Sequence, residues 1–385
     1  MTTTAPPSGR FRPTRRRRVG QNRPLDARAG SVDGRGTPGA RPPWRPPLLP
    51  TLLVGLALLV ATVLVCVTIG PADIAVADVA RSIAGHLGLG PAAGADGGVP
   101  VLTDAIVWEL RLPRVLTGAA VGAGLALAGA VMQSLTRNPL ADPYLLGLSS
   151  GASLGAVAVL VVGVGLLLPV AAFAGALAAL VATLSLARVG GVLTPGRAVL
   201  AGLAVSQLAA AGTSFVIFWS ATGDSYREIL NWLLGSLAGS TWQSVAIAAG
   251  ALVVVGTVLV ASAVRLDAFA FGDTAAAALG IHVDRTRWVL MTLVALLTGA
   301  MVAVSGSIGF VGLVLPHAVS ALTGPAHRRL LPVAAVVGAI FLVWADTGAR
   351  TLFDPRELPV GIVTALIGVP VFAVLLRRGR GSAWT

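Results

Sequence analysis

Apolar residues recur along this chain in runs of roughly twenty, and the polar breaks between the runs are short. A helix needs about 20 apolar residues to cross the hydrocarbon of a bilayer. Runs of that order occupy residues 48–69, 112–134, 145–167, 170–187, 198–219, 242–264, 288–304, 308–323, 331–352 and 359–376. The pattern predicts an all-α polytopic membrane protein with about ten transmembrane helices. The first run is too long for the apolar core of a signal peptide, so it reads as a retained span despite the cleavage-like Ala75-Val76-Ala77 beyond it.

The breaks are as informative as the runs. Residues 70–110 form a polar, Gly/Pro-containing connection with five carboxylates, Asp73, Asp78, Asp96, Asp104 and Glu109. Between the second and third runs lies a hinge, in which Asn138 and Asp142 each precede a proline. Both are expected to be extended or turn-forming, with side chains bonding local backbone. Non-helical backbone at membrane depth is tolerated only inside protein or beside a water-filled cavity, so the hinge either sits at the interface or lines a passage. Residues 229–237 are apolar but too short to cross. With Trp232 and Trp242 nearby they read as an interfacial helix. The loop 265–287 carries Phe269 and Phe271, then Asp273 as an expected N-cap, a short alanine helix, and Gly280 as its stop. It is either a docking element or a plain loop helix.

Small residues dominate the spans. Gly118, Gly122 and Gly129 in the second, and Gly147, Gly151 and Gly155 in the third, lie on related faces and predict close helix contacts. Tight packing accounts for them without any transport role.

Charge fixes orientation and narrows the chemistry. The 385 residues carry a net charge of +12, much of it in the Arg/Pro-rich segment 1–47, which is expected to be a disordered cytoplasmic tail attracted to lipid. Aromatic residues are nearly absent from it, so nucleic acid is not an expected partner. The remaining arginines cluster near residues 137, 188, 197, 265, 285, 328 and 377, on the side of the tail, which predicts that both termini are cytoplasmic. Exceptions on the outer side are Arg81, Arg111, Arg114, Arg227 and Arg356, with Arg350 near the outer end of its span. All 28 basic residues are arginine, and a chain without lysine carries no ordinary phosphate-binding loop. Cys66 is single, and His86, His282, His317 and His327 are scattered, so no metal or catalytic constellation is expected. Ion-coupled transport places ionisable groups at mid-span, yet Asp346 is the main such residue here. Arg350, one turn on, is its expected ion-pair partner.

The motifs RLPR (111–114), GAVMQSLTRNPLADPYLLGLSSGA (129–152), FGDTAAAALG (271–280), GSIGFVGLVLPH (306–317), HRRLLP (327–332) and ELPVGIVTALIGVPVF (357–372) resemble, in order, those of the FecCD permeases. That family supplies the membrane subunits of ABC importers for ferric siderophores, haem and cobalamin. The resemblance implies a type II ABC importer permease fold over residues 48–380, with a second permease subunit in a homo- or heterodimer. It also implies separate ATP-binding subunits that hydrolyse ATP, and an extracytoplasmic substrate-binding protein. No enzyme activity, cofactor or resident metal is implied for this chain. It assigns Arg111, Arg114 and Arg350 to binding-protein docking. Gly272, Asp273, Leu279 and Gly280 are assigned to ATPase coupling within 265–287. The implied inner gate is Asn138 and Leu140, faced by the loop in which this chain has Thr194, Pro195 and Gly196, a departure from the family's small polar run. The cargo implied is a ferric siderophore, with cobalamin or haem as alternatives and an ion-coupled secondary transporter as a different class.

Overall fold

The computed structural model describes Thr2 and residues 47–164, 168–188, 194–220, 223–353 and 356–378. The Arg-rich tail lies outside the described residues. The described chain is helical, with no strand among the described residues. In order it forms α1 (Leu48–Thr68), α2 (Val76–His86), α3 (Val101–Thr136), a 3-10 turn (Pro143–Leu146), α4 (Leu148–Val162), α5 (Leu168–Ala187), α6 (Pro195–Ser220) and α7 (Gly223–Leu234). Then follow α8 (Trp242–Ala261), α9 (Ala263–Ala270), α10 (Asp273–Ala278), α11 (Val283–Ser305), α12 (Val311–Thr323), α13 (His327–Thr351) and α14 (Val360–Arg378). Seven of these (α1, α3, α5, α6, α8, α11 and α13) are long and apolar enough to span a bilayer, and α4, α12 and α14 supply three shorter apolar segments.

α3 is the axis of the bundle. Of its apolar window 89% is buried, against 6% for α1, which lies on the outside of the bundle. Small residues make that centre possible. A Cβ on Gly122 would stand 2.2 Å from the carbonyl oxygen of Gly338, and one on Gly338 would stand 2.3 Å from that of Gly122. α3 and α13 therefore cross backbone to backbone. Gly151 of α4 and Gly175 of α5 meet in the same way, at 2.4 and 2.2 Å. Lipid supplies no hydrophobic drive between helices, so this close dispersion contact carries the packing.

Prolines mark where the spans deform. Pro113 has no N–H for the Glu109 carbonyl, and the preceding residues Ile106–Arg111 widen into a π turn closed by the Leu112 N–H on Val107. The segment 70–110, expected as a plain connection, instead contains α2 and the first three turns of α3. Its signal was an amphipathic period, with Val76, Val79 and Ile83 on one face. α2 is fastened to α3 by the Ser82 hydroxyl donating to Asp104 (2.6 Å), by the contact of His86 Nε2 with the same carboxylate (2.9 Å), and by stacking of the His86 ring on Trp108.

Between α11 and α12 the backbone is non-helical from Gly306 to Phe310, with Phe310 in the left-handed region (φ 67°). Its polar groups are covered from outside the segment. Tyr144 donates to the Ile308 carbonyl (3.0 Å), and the hydroxyls of Ser149 and Ser307 bond at 2.7 Å. This meets the demand that broken backbone inside an apolar bundle find partners in protein.

Candidate functional site

Functional groups gather at the two ends of the bundle. At one end, α9 runs into Phe271 and Gly272, whose φ of +99° suits glycine, and α10 follows. α10 closes as a Schellman motif: the Gly280 N–H bonds the Ala277 carbonyl, the Ile281 N–H bonds that of Ala276, and Gly280 has φ +80°. Asp273 is the first residue of α10 and not its N-cap; the cap is Gly272, and no side chain caps the helix. The carboxylate is engaged elsewhere. Its Oδ1 accepts from Arg287 Nη2 at 2.8 Å and lies 3.6 Å from Arg137 Nη2. Arg287 is buried at the base of α11, with its guanidinium 5.4 Å from the Phe269 ring centre. A second anchor joins α9 to α13, where Asp267 Oδ1 accepts from the His327 N–H (2.9 Å) and contacts Nδ1 (2.7 Å). α10 is thus held to the bundle while Phe271 and Leu279, at its two ends, are 80% and 71% exposed.

Arg137 is also the left-handed C-cap of α3 (φ 50°), the residue before the hinge. Asp273 and the hinge that starts at Asn138 are therefore joined through one arginine. Asn138 Oδ1 accepts from the Leu140 N–H (2.9 Å), and Asp142 Oδ1 from the Tyr144 N–H (2.8 Å), so both Asx-Pro units form the expected Asx turns. Desolvation pushes the Asp142 carboxyl up to about 6, opposed by that N–H. Asn138 and Leu140 are exposed at the end of the bundle, and the chain enters the interior at Ala141. α6 meets the hinge region at Gly202, where a Cβ would stand 1.9 Å from the Leu145 carbonyl oxygen. That is about two turns beyond Thr194, Pro195 and Gly196.

At the opposite end the three arginines are buried, at 5–8% exposure, and each is engaged within the chain. Arg111 Nη1 donates to the carbonyls of Val67 (2.9 Å) and Thr68 (2.8 Å), and its Nη2 to Ala72 (2.7 Å). Arg350 Nη2 donates to the Cys66 carbonyl at 2.5 Å. The carbonyls of Cys66, Val67 and Thr68 belong to the last turn of α1, which has no basic residue of its own there, and Ala72 lies just beyond it. Arg111 and Arg350 therefore cap a helix C-terminus from a distance. Asp346 does not pair with Arg350, as the one-turn spacing suggests. Its carboxylate takes a bidentate pair from Arg114, with Nε and Nη2 both at 2.9 Å, and Arg114 Nη1 reaches Glu357 at 2.8 Å. A bidentate fork satisfies both carboxylate oxygens at once, while Arg350 Nη2 is engaged by the Cys66 carbonyl and the Thr347 hydroxyl. Arg350 also lines an open cavity of about 810 Å³ with Gly70, Asp73 and Asp78.

Sequence reasoning passed over Glu357, Arg137, Arg287 and Gln133. Gln133 Nε2 donates to the carbonyls of Gly312 (3.3 Å) and Leu313 (3.0 Å) in α12. Pro316 has no N–H for Gly312, so Gln133 supplies the missing donor. The visible signal was a lone amide in an apolar run.

Similarity to known proteins agrees with this geometry. Residues 58–378 match the model of the FecCD transport family. The cobalamin import system permease protein BtuC of Halobacterium salinarum is 42% identical, over 83% of this chain and 94% of its own length. The Fe(3+) dicitrate transport system permease protein FecD of Escherichia coli is 41% identical, over 71% of this chain and 86% of its own. A solved structure provisionally described as a metal-chelate-type ABC transporter in an inward-facing conformation superposes with a TM-score of 0.75. It is 31% identical and covers 86% of this chain and 99% of that one. The broken-helix bundle, the anchored short helix and the ordered motifs thus converge: the chain belongs to the FecCD transport family.

Proposed function

We propose that this FecCD-family ABC importer permease carries a ferric-siderophore complex into the cytoplasm by alternating access. The observation that carries the ATP-driven part is the anchored short helix α10. Its exposed Phe271 and Leu279 offer an ATPase subunit an apolar seat, and Asp273 ties that seat through Arg137 to the hinge at Asn138 and Leu140. A push on α10 therefore reaches the inner gate through a charged contact. Gly272 and Gly280 set the two ends of the helix, and Thr194, Pro195 and Gly196 face the hinge across the inner loop of the dimer. At the outer end, Arg350 borders the cavity and receives a carboxylate of the binding protein. Arg111 and Arg114 hold the surrounding surface in shape and add positive potential that steers docking. The inner end is the arginine-rich one, with both termini cytoplasmic.

The cargo is a large chelate that the apolar, Gly-lined spans handle by size. The similarity to an Fe(3+) dicitrate permease supports iron; the similarity to a cobalamin permease favours cobalamin as the second reading. Proteoliposomes containing the permease, its ATPase and its binding protein separate them. Accumulation of labelled ferric siderophore in excess of labelled cobalamin is expected. Cobalamin accumulation without iron uptake would replace the siderophore reading.

A further inference from the structure

The arginine-rich end of the bundle holds a cavity beside α10, lined in part by the segment 265–287. It has a volume of about 440 Å³ and lies between α8, α9, the turn after α10 and the first turns of α11. Its rim carries Arg265, Arg285 and His282, with the hydroxyls of Ser262 and Thr286 beside them. Among the described residues neither Arg265 nor Arg285 makes an ion pair or a hydrogen bond, and no carboxylate lines the cavity. Asp284, in the same first turn, lies outside the lining. α11 begins there without a side-chain cap, so its first N–H groups add donors to the same corner. The wall is the opposite in character. Val258 and Val289 are 46% and 51% exposed, and Leu293 continues the apolar surface along α11. α8 is a peripheral span, with 17% of its apolar window buried, so this wall opens toward lipid.

Two unpaired guanidinium groups above an apolar slot demand an anion with an apolar extension. We infer that this cavity binds a phosphate ester, and that the ester is the headgroup of an anionic phospholipid whose acyl chain lies along Val258, Val289 and Leu293. Arginine pairs match phosphate oxygens in geometry as well as charge. Basic pockets between spans at the cytoplasmic boundary are suited to lipid headgroups. A volume near 440 Å³ holds a headgroup and the first acyl carbons, whereas free phosphate leaves the apolar wall wet. Gly280 also lines the cavity, so the bound headgroup packs behind the end of α10.

Native mass spectrometry of the full chain, released from detergent with equal amounts of phosphatidylglycerol and phosphatidylcholine, tests the site. The wild-type chain retains phosphatidylglycerol preferentially. R265Q/R285Q lowers that retention by at least about tenfold, as loss of two basic contacts implies. R265K/R285K keeps most of it, and R328Q/R329Q, which removes two arginines elsewhere at the same end, leaves it unchanged. A thermal melt by circular dichroism confirms that each variant is folded. Equal retention by R265Q/R285Q and R328Q/R329Q, or no preference for phosphatidylglycerol in the wild type, would overturn the site. Displacement of phosphatidylglycerol by excess inorganic phosphate would overturn the lipid as its occupant.

Discussion

Arg114 and Asp346 are 232 positions apart and form the bidentate pair at the end of the bundle opposite α10, with Glu357 completing it. Removing one partner of a buried pair leaves the other charge without its counter-ion, which costs about 3–5 kcal/mol. Arg114→Gln and Asp346→Asn are each expected to lower thermal stability in detergent by that order. The double variant is expected to cost clearly less than their sum. Strict additivity in a double-mutant cycle would show that the pair contributes nothing. Arg111 carries a different load, since it caps three carbonyls at and beyond the end of α1. Arg111→Gln is expected to destabilise by about 1.5–3 kcal/mol, in the range for hydrogen bonds to a charged group. Loss of binding-protein affinity in that variant therefore has to be compared with its melting temperature. A change in affinity without a change in melting would contradict the capping role.

Among the helices, α12 depends on a neighbour for its own continuity. Pro316 removes a donor, and Gln133 of α3 replaces it across the interface. Gln133→Leu keeps the volume and removes the donor, leaving the Gly312 carbonyl unpaired. A cost of about 1–3 kcal/mol is expected, read as a fall in melting temperature. An unchanged melting temperature would show that water or a lipid group satisfies the carbonyl. Element-scale structure was legible wherever it rests on length and period. The apolar runs located all the spans, the Asx-Pro pair gave the hinge turns, and Gly280 gave the end of α10. α2 was equally present in the spacing of Val76, Val79 and Ile83, but the polar content of residues 70–110 masked it. What was not legible is contact at long range. Spacing along one helix pointed Asp346 at Arg350, whereas the bundle brings Arg114 to it from another helix. Likewise nothing local to Asp273 announces Arg137 and Arg287, because the fold alone brings the end of α3 and the base of α11 to the start of α10.

For the whole molecule, the two ends divide the work and α3 joins them. It passes the arginine network at Arg111 and Arg114, runs through the Gly122–Gly338 crossing, and is capped by Arg137, which meets Asp273. A largely buried helix that joins the two ends suits the proposed transporter, driven by subunits bound at both ends. Asp346, the main ionisable residue at mid-span, is committed to Arg114. In the proposed function, ATP drives transport through α10. The most direct test is chelate uptake into proteoliposomes containing the permease, its ATPase and its binding protein, with wild-type permease and with Asp273→Asn. Uptake is expected only with ATP, and in Asp273→Asn continued ATP hydrolysis is expected with uptake reduced at least about tenfold, since the neutral side chain loses its charged contacts to Arg137 and Arg287. Uptake that persists without the ATPase under a proton or sodium gradient, or full uptake by Asp273→Asn, would contradict the proposed function.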